Sequence, residues 1–328
     1  MKIPIAMNTQ NNLKESLRTG FKKGLAASFK ILRIMLPISL AVTILRYFGT
    51  FERIGILLEP VSRILGLRFE TFVAFLTGIF VNCYSAIAVI VSTPLGEKEL
   101  IIISIMLLFS HTLPIEIAIQ KKAGGNGFLI LIARLFASIT AALVLKEVLP
   151  PSSSIYFESN VSVDGPAIPF SQMLADWVTS SLVQTVKIVL IVICIIIINE
   201  YLINTKIADS ISKRMNPFMK ILGLSSNYSF RWFIVVFFGL IYGSSVLIDS
   251  KQRMKPSPTK ETAFHLSIST SHALIQETAI FAAIGTPILW LLLPRILYSL
   301  GSVWLFLFLK SLFGRIKETG GESRSAPP

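Results

Sequence analysis

The sequence predicts an all-α, polytopic integral membrane protein with two four-segment repeats, each with one re-entrant or broken helix pair, and the distribution of charge predicts that the repeats are inverted. Its composition is apolar, its apolar residues form long stretches, and polar residues recur at matching positions in the two halves. Of 328 residues, 53% are hydrophobic and 15% are charged, whereas a soluble domain is about 25% charged. The mean hydropathy is +0.69. These values exclude a water-soluble enzyme folded around a single core.

Eight apolar stretches are long enough to cross the hydrocarbon core of a bilayer, which takes about 20 helical residues. The first set of four comprises residues 29–48, 69–92, 100–119 and 128–149, and the second set comprises residues 180–203, 230–248, 262–284 and 288–309. Between the first and second stretch of each set lies a shorter amphipathic segment around a proline, at residues 54–67 and 207–224. This pattern favours a helix in the interface plane.

Charge predicts how these segments are oriented. Lys and Arg are frequent near both termini, whereas residues 147–186 contain neither. Because Lys and Arg are enriched on the cytoplasmic side, we expect both termini inside and the linker outside. The predicted divisions are a basic cytoplasmic N-terminus at 1–28, a first repeat at 29–149, an extracytoplasmic linker at 150–178, a second repeat at 179–309 and a cytoplasmic tail at 310–328. The net charge of +13 is spread between apolar segments, so nucleic acid is not a predicted partner.

An external linker requires an odd number of crossings in each half, although each half has four apolar stretches. We expect the third stretch not to cross, because SHTLP at residues 110–114 interrupts it and the second copy is polar throughout. Three crossings and one re-entrant, broken helix pair per half would make the repeats inverted. This topology places the basic loop at residues 250–260 outside, against the positive-inside tendency. If that loop is cytoplasmic, both third stretches cross fully.

The clearest sign of a repeat is SHTLPIEIAI at residues 110–119 against SHALIQETAI at residues 271–280. Two of the three histidines therefore occupy equivalent positions. The offset between the halves grows from 157 residues at Gly66 and Gly223 (223 minus 66) to 161 at Gly78 and Gly239 (239 minus 78). We therefore predict a four-residue insertion at residues 225–228.

Ionisable residues inside the apolar stretches are candidates for function, because a charge at bilayer depth is costly unless it is paired or hydrated. The candidate substrate-binding residues are His111, Glu116, His272, Gln276, Glu277, Asn82 and Ser244. Arg134 and Arg295 are predicted to form structural ion pairs with the glutamates. The alternative for each histidine is a structural hydrogen bond at a helix break, and the alternative for Asn82 and Ser244 is helix packing.

Two histidines and two glutamates that converge can hydrogen-bond a polar solute, carry a proton or ligate a divalent metal. The candidate metal ligands are His111, Glu116, His272 and Glu277. A metal requires the ligand atoms within about 4 to 5 Å of a common point, whereas an organic solute requires a larger pocket. His265, seven residues before His272, shares its face if the helix is continuous.

Several motifs of enzymes are missing from the sequence. It contains no HExxH, no GxSxG and no GxxxxGK[ST], so neither zinc proteolysis, serine hydrolysis nor ATP hydrolysis is predicted. We therefore expect no enzyme and no cofactor. Cys83 and Cys194 lie in apolar stretches and are predicted to be core residues.

The sequence also resembles a known family. The basic N-terminus leads into KILRIMLPISLAVTIL, LLEPVSRILGL, GIFVNCYSAIAV, LLFSHTLPIEIAIQKKAG and the second SHALIQETAI. These segments resemble bacterial membrane proteins of the nucleoside-recognition, or Gate, domain family, with two Gate-like copies in one chain. The resemblance implies the bacterial cell (inner) membrane, a helical module with a gate-like re-entrant region, and relatives that include spore maturation proteins and ferrous iron and nucleoside transporters.

The resemblance also bears on the candidate site. In concentrative nucleoside transporters, polar residues at re-entrant hairpin tips contact the nucleoside, and Gln276-Glu277-Thr278 is similar to them. The first copy reads Ile115-Glu116-Ile117 and lacks the flanking polar residues. The ferrous iron relatives carry a GTPase domain, which has no counterpart in this sequence.

Three hypotheses for function follow. The leading one is a secondary transporter or permease for a small polar solute, nucleoside-like by resemblance. The alternatives are a divalent-metal permease that uses the same residues, and a non-transporting membrane scaffold or assembly factor. The predicted partners are membrane lipid and a small polar solute or ion, and the sequence leaves a homo-oligomer open.

Overall fold

A computed structural model describes residues 9–151, 168–205, 207–254 and 257–322, and in these residues the chain is all-helical. Within them, six helical segments are long and apolar enough to cross a membrane: Leu13–Tyr47, Glu97–Lys122, Gly127–Val148, Phe170–Asn204, Ser226–Ser250 and Ile288–Leu312. This agrees with the predicted polytopic membrane protein. Most of the predicted linker, residues 152–167, lies outside the described residues.

Helices α1 (Thr9–Tyr47) and α8 (Phe170–Asn204) open the two halves and pack on each other in antiparallel directions. Their backbones approach closely at glycines: a Cβ atom on Gly24 would lie 2.8 Å from the Cα atom of Ile193. With 39 residues, α1 is about 58 Å long at 1.5 Å per residue, so it extends beyond a hydrocarbon core of about 30 Å. Both helices begin earlier than the predicted stretches.

Polar contacts fix the register of this antiparallel pair. The amine of Lys23 in α1 lies 2.7 Å from Glu200 of α8. Farther along, the indole of Trp177 in α8 donates to Ser39 of α1 over 3.1 Å. Cys194 of α8 is exposed, so the prediction that it is a core residue is wrong; it occupies a face of α8 turned away from α1.

Short amphipathic helices follow each of these long helices. They are α2 (Thr50–Ile64) in the first half, and α9 (Ile207–Arg214) and α10 (Asn216–Ile221) in the second. Each group ends at a glycine with positive φ, 74° at Gly66 and 65° at Gly223, where a β-carbon would be strained. The interface-type segments of the sequence are therefore helical.

The second apolar stretch of the first half is a helical hairpin made of α3 (Phe69–Phe80) and α4 (Cys83–Val91). A Cβ atom on Gly78 would lie 3.2 Å from the Cβ atom of Ala86. Eight residues of continuous helix would separate these positions by about 12 Å. The chain therefore reverses direction at Val81 and Asn82.

The second apolar stretch of the second half also doubles back. Helix α11 (Ser229–Met254) is interrupted at Gly239, where φ is 85° and ψ is 168°. A Cβ atom on Gly243 would lie 2.7 Å from a side-chain carbon of Val235, eight residues earlier. This stretch is thus a second hairpin.

The third stretch of the first half is broken but runs on in one direction. It comprises α5 (Glu97–Ser110) and α6 (Leu113–Lys122), and α7 (Gly127–Val148) lies antiparallel along both. At one end Lys98 donates to the carbonyl of Leu149 over 2.8 Å. At the other end a Cβ atom on Gly127 would lie 3.2 Å from Ile117. The helices α5 and α6 together therefore extend along the whole length of α7.

The second half has the same arrangement. Helices α12 (Pro258–Ser271) and α13 (Leu274–Ala283) form the broken third stretch, and α14 (Ile288–Glu322) returns along them. The third stretch of each half is a broken helix pair, as predicted, but the prediction that it does not cross is wrong, because the second stretch doubles back instead. Helix propensity and hydropathy do not distinguish a crossing helix from a hairpin of the same length.

The position of the four-residue insertion also differs from the prediction. The backbone amide of Thr112 donates to the carbonyl of Gly78 over 2.8 Å, and that of Ala273 donates to Val235 over 3.1 Å. Gly78 is thus the spatial counterpart of Val235 rather than of Gly239. If the two halves are aligned on these two contacts, the four-residue insertion lies after Val235 and not at residues 225–228.

The centre of the molecule is built from α5 and α12. Residues 100–110 of α5 and 263–271 of α12 are buried on every side. Helix α5 packs on α14, and α12 packs on α7, so each half contributes its third stretch to the other. Ser104 and Thr286 hydrogen-bond across this junction over 2.8 Å.

Candidate functional site

The candidate site lies at the two helix breaks. His111 ends α5 and His272 ends α12, each in an extended conformation. The following residues, Thr112 and Ala273, have φ values of 49° and 47°. They are the non-glycine residues with positive φ among those described. Such backbone strain is maintained only where surrounding contacts fix it.

Arg134 fixes the first break. Its Nε donates to the carbonyl of Phe109 over 2.6 Å, and its Nη2 donates to the carbonyl of His111 over 3.0 Å. These carbonyls have no amide partner because the helix stops there. The third contact of Arg134 is with Glu116 in α6, where Nη1 lies 2.5 Å from Oε2. One side chain of α7 therefore joins the end of α5 to the start of α6.

Arg295 has the same role at the second break. Its Nε donates to the carbonyl of Thr270 over 3.2 Å, and its Nη2 donates to the carbonyl of His272. The same Nη2 lies 3.1 Å from Glu277 Oε2. Both arginines are fully buried. The structure thus brings each arginine onto the glutamate of its own half.

The two histidines meet at the centre, with ring centroids 5.2 Å apart. His111 Nε2 lies 2.9 Å from Glu277 Oε1 and 3.3 Å from Glu116 Oε1. His272 Nε2 lies 3.1 Å from Glu116 Oε2 and 4.0 Å from Glu277 Oε1. The four side chains are buried. We call them the central cluster.

Backbone contacts orient the two imidazoles. His111 Nδ1 lies 2.9 Å from the carbonyl oxygen of Leu107, and His272 Nδ1 lies 3.2 Å from that of Ile268. A carbonyl only accepts, so each Nδ1 carries the proton. In the neutral imidazole, the lone pair of each Nε2 atom therefore points at carboxylate oxygens. A lone pair and a carboxylate at this distance repel each other unless a proton or a metal cation lies between them.

A metal ion has suitable ligands in the central cluster. One ligand atom from each of His111, Glu116 and His272 lies within 4.8 Å of the others. Nitrogen and oxygen ligands of this kind suit divalent transition metals. Histidines that bind metals commonly donate their second ring N–H to a backbone carbonyl, as both do here.

The other predicted site residues lie around the hairpins. Asn82 caps α4, accepting from the amide of Ser85 over 2.9 Å. The hydroxyl of Ser244 donates to Ile241 over 2.7 Å, within its own helix. Gln276 is half-buried next to the hydroxyl of Tyr84. The contacts of Asn82 and Ser244 are local, whereas Gln276 of α13 contacts α4 of the other half. Among the described contacts, none of the three residues touches the central cluster.

Sequence reasoning missed a second buried polar group next to the central cluster. It contains Glu261, His265, Arg231 and Gln120, all of which are buried. Helix α12 is continuous from Pro258 to Ser271, so His265 lies two turns before His272. Arg231 and Glu261 lie at the edges of apolar stretches, and this position is the sequence feature that could have indicated a buried ion pair. Their pairing depends on the α11 hairpin, which the sequence did not indicate.

The fold and the central cluster define a multi-pass, all-helical membrane protein with an ionisable site inside the bundle. Residues 28–127 match the model of the Gate family, which is described as nucleoside recognition. The second half lies outside that match. The chain is 27% identical over 286 residues to the uncharacterized membrane protein YvoD of Bacillus subtilis (strain 168), covering 87% of this chain and 91% of YvoD. No solved structure matches the chain.

Proposed function

We propose that the chain is a permease whose transport site is the central cluster, and that a divalent metal cation is its cargo. The observation that carries the proposal is the convergence of two imidazole Nε2 atoms on two carboxylates. Three of these ligand atoms come within 4.8 Å of one another. This compactness meets the distance requirement for a bound metal. The divalent-metal permease therefore becomes the leading hypothesis, and the polar-solute permease becomes the second.

The carboxylate oxygens that face the histidines support a cation as cargo. Glu116 and Glu277 each pair with a buried arginine, which leaves the cluster close to neutral when both imidazoles are neutral. Each carboxylate has a second oxygen or lone pair directed at the histidines. A metal cation placed there replaces repulsion between lone pairs by ligand bonds.

The proposal includes inverted repeats. Helices α1 and α8 occupy equivalent places in the two halves and pack antiparallel, so an axis relating them is perpendicular to both. If α1 follows the membrane normal, this axis lies in the membrane plane. Each half then has three crossings and one hairpin, as the odd number of crossings requires.

Because the second stretch doubles back rather than the third, the basic loop that follows α11 lies on the side of the membrane opposite to the one predicted from the sequence. The α11 hairpin returns to the end from which it started, so residues 250–260 lie with the cytoplasmic termini. The amine of Lys310 near the C-terminal end of α14 contacts Thr259, which supports this placement. The basic residues of the loop then obey the positive-inside tendency. We place the chain in a bacterial cell membrane and assign it no enzymatic activity.

A nucleoside-like polar solute is the second candidate. It is favoured by the match of residues 28–127 to a family described as nucleoside recognition. A solute of that size needs a pocket of about 300 Å³ or more. The half-buried Tyr84 and Gln276 beside the hairpin tip are the polar groups available to line one if the hairpin moves.

The experiment is cation binding and uptake by the purified protein. Calorimetry with Mn²⁺, Co²⁺ and Zn²⁺ is compared between wild type, His272→Asn and Ser138→Ala. The control removes an equally buried polar contact, the hydroxyl of Ser138 to the carbonyl of Met106 over 3.2 Å. We expect binding of one cation per chain that His272→Asn abolishes and Ser138→Ala retains, with matching uptake into proteoliposomes.

Two other outcomes contradict the proposal. A thermal shift with nucleosides and none with cations would favour the polar solute. Neither binding nor uptake of either class would leave the scaffold hypothesis, in which the buried groups only satisfy the helix breaks.

A further inference from the structure

The second buried group, composed of Glu261, His265, Arg231 and Gln120, resembles the central cluster in its chemistry. His265 Nδ1 lies 3.2 Å from Gln120 Oε1, and His265 Nε2 lies 3.4 Å from Glu261 Oε1. In this orientation of the Gln120 amide the oxygen accepts, so His265 Nδ1 carries the proton, and the amide nitrogen of Gln120 has no hydrogen-bond partner. The Nε2 atom then faces a carboxylate and has no hydrogen-bond partner. A proton on Nε2 would turn this contact into a favourable one.

Arg231 makes this group unsuitable for a metal. Its Nη1 and Nη2 bond the two oxygens of Glu261 over 3.1 and 2.5 Å. The guanidinium is held over the rings of Phe264 and Tyr228, at 4.4 and 5.3 Å. The guanidinium thus occupies both oxygens of the only carboxylate, whereas Glu116 and Glu277 each keep one oxygen directed at the histidines. A single proton has a smaller charge and needs no further ligands.

The group lies beneath an open cleft at the end of the bundle where α12 begins. The cleft has a volume of about 620 Å³ and is lined by Lys121, Gly125, Pro258 and Thr262 among others. A Cβ atom on Gly125 would lie 2.8 Å from Cγ of His265. Gly125 thus both lines the cleft and lies against the imidazole. A glycine at this position leaves room for the ring.

The ionisable groups that face His265 come from few elements. Glu261, on the same helix as His265, faces the ring directly. Arg231 at the start of α11 and Tyr228 in the turn before it contact Glu261 and not the ring. Helix α6 contributes the uncharged Gln120. The described contacts of α5, α7 and α14 place no charged group on the ring.

The group is also close to the central cluster. Gln120 follows Glu116 by one turn of α6, and His265 precedes His272 by seven residues of α12, which is about 10 Å at 1.5 Å per residue. In a bundle interior, charges at this distance interact more strongly than in water. An imidazolium at His265 therefore weakens cation binding at the centre, and a bound cation weakens protonation of His265 by the same factor.

We propose that His265, with Glu261, is a proton-binding site reached from this cleft, and that its protonation opposes cation binding, so that cation uptake is exchanged for protons. This inference rests on the proposed function. The first half has Ser104 at the position equivalent to His265 (265 minus 161), so only the α12 side carries the ionisable group.

Proteoliposomes that contain a pH-sensitive dye test the inference. On addition of Mn²⁺ we expect wild type to take up the cation and to move protons outward. His265→Asn should retain Mn²⁺ uptake and lose the coupled proton movement. Ser104→Ala, which removes the buried bond to Thr286, should behave as wild type. Unchanged proton movement in His265→Asn overturns the inference while the permease remains.

A second pair of variants guards against misfolding of His265→Asn. A Cβ atom on Gly125 would press on His265 and on Ile130, each at 2.8 Å, whereas a Cβ atom on Gly127, in the same cleft, would meet Ile117 at 3.2 Å. We expect Gly125→Ala to reduce proton movement selectively and Gly127→Ala to leave it intact; equal effects contradict the inference. A wild type that takes up no cation overturns the proposed function and the coupling together.

Discussion

Glu277 Oε1 lies 2.9 Å from His111 Nε2, closer than the carboxylate of the histidine's own half, Glu116, at 3.3 Å. His272 likewise lies nearer to Glu116 than to Glu277, at 3.1 against 4.0 Å. Each histidine is thus paired most closely with the other half. The central cluster exists only when both halves are assembled, so a change in one half alters the ligands of the other.

The first prediction concerns the buried pair of Glu116 and Arg134. Glu116→Gln leaves the guanidinium without its counter-charge and should lower the free energy of unfolding by about 3 kcal/mol. Adding Arg134→Gln should restore part of the loss, because a lone buried charge is worse than none. Thermal unfolding in detergent measures the cycle. Strictly additive effects would mean that the pair does not interact energetically.

The second prediction concerns topology. In a background of Cys83→Ala and Cys194→Ala, a single cysteine at Ser257 should react with an impermeant reagent from the same side as both termini. A cysteine at Ser153, in the predicted linker, should react from the opposite side. The hairpin in α11 is the reason, because it returns the chain to the end of the bundle from which α11 starts. Labelling of Ser257 and Ser153 from one side would refute the inverted arrangement.

The third prediction concerns the α3–α4 hairpin. A Cβ atom on Gly78 would overlap the side chain of Leu107 and lie 3.2 Å from Ala86. Gly78→Val should therefore separate the hairpin from α5 and destabilise the protein by about 1 to 3 kcal/mol. The matched control is Gly301→Ala, because a Cβ atom there meets nothing within 4 Å. A Gly78→Val protein as stable as wild type would show that this contact is not close-packed.

The fourth prediction concerns the packing of α1 on α8. Gly20 and Gly24 face Ile197 and Ile193, and a Cβ atom on Gly20 would lie 2.6 Å from the Cα atom of Ile197. Gly20→Leu should force these backbones apart and lower the unfolding temperature. The same replacement at Gly49, where nothing lies within 4 Å but φ is 65°, tests backbone strain alone. A larger effect at Gly49 would argue against close packing of the two helices.

The length and spacing of the apolar stretches predicted the helices and the amphipathic segments. The residues that meet at the centre were predicted for a different physical reason. Charged groups inside apolar stretches are costly, so His111, His272 and their glutamates had to find partners. It did not predict which stretch doubles back, because a hairpin and a crossing helix bury similar apolar residues. Asn82 and Gly239 mark the reversals, but each residue type also occurs in continuous membrane helices.

The same limit explains the second buried group. Arg231 and Glu261 lie far apart in sequence and pair over 2.5 Å because α11 doubles back beside α12. A pairing that depends on the path of the backbone has no periodic signature in the sequence. His265 was recognised as a neighbour of His272 on one helix face, since helical spacing alone determines that relation.

The counterpart of Gly78 is Val235, and the four extra residues fall beyond it, which is about one helical turn. In a carrier made of inverted repeats, each half adopts in one state the shape that the other half adopts in the opposite state. An added turn in only one hairpin means that this exchange of shapes is imperfect. If the chain is the inverted-repeat carrier proposed above, its inward-open and outward-open forms then differ in free energy before any cargo binds, and the empty carrier favours one of the two forms.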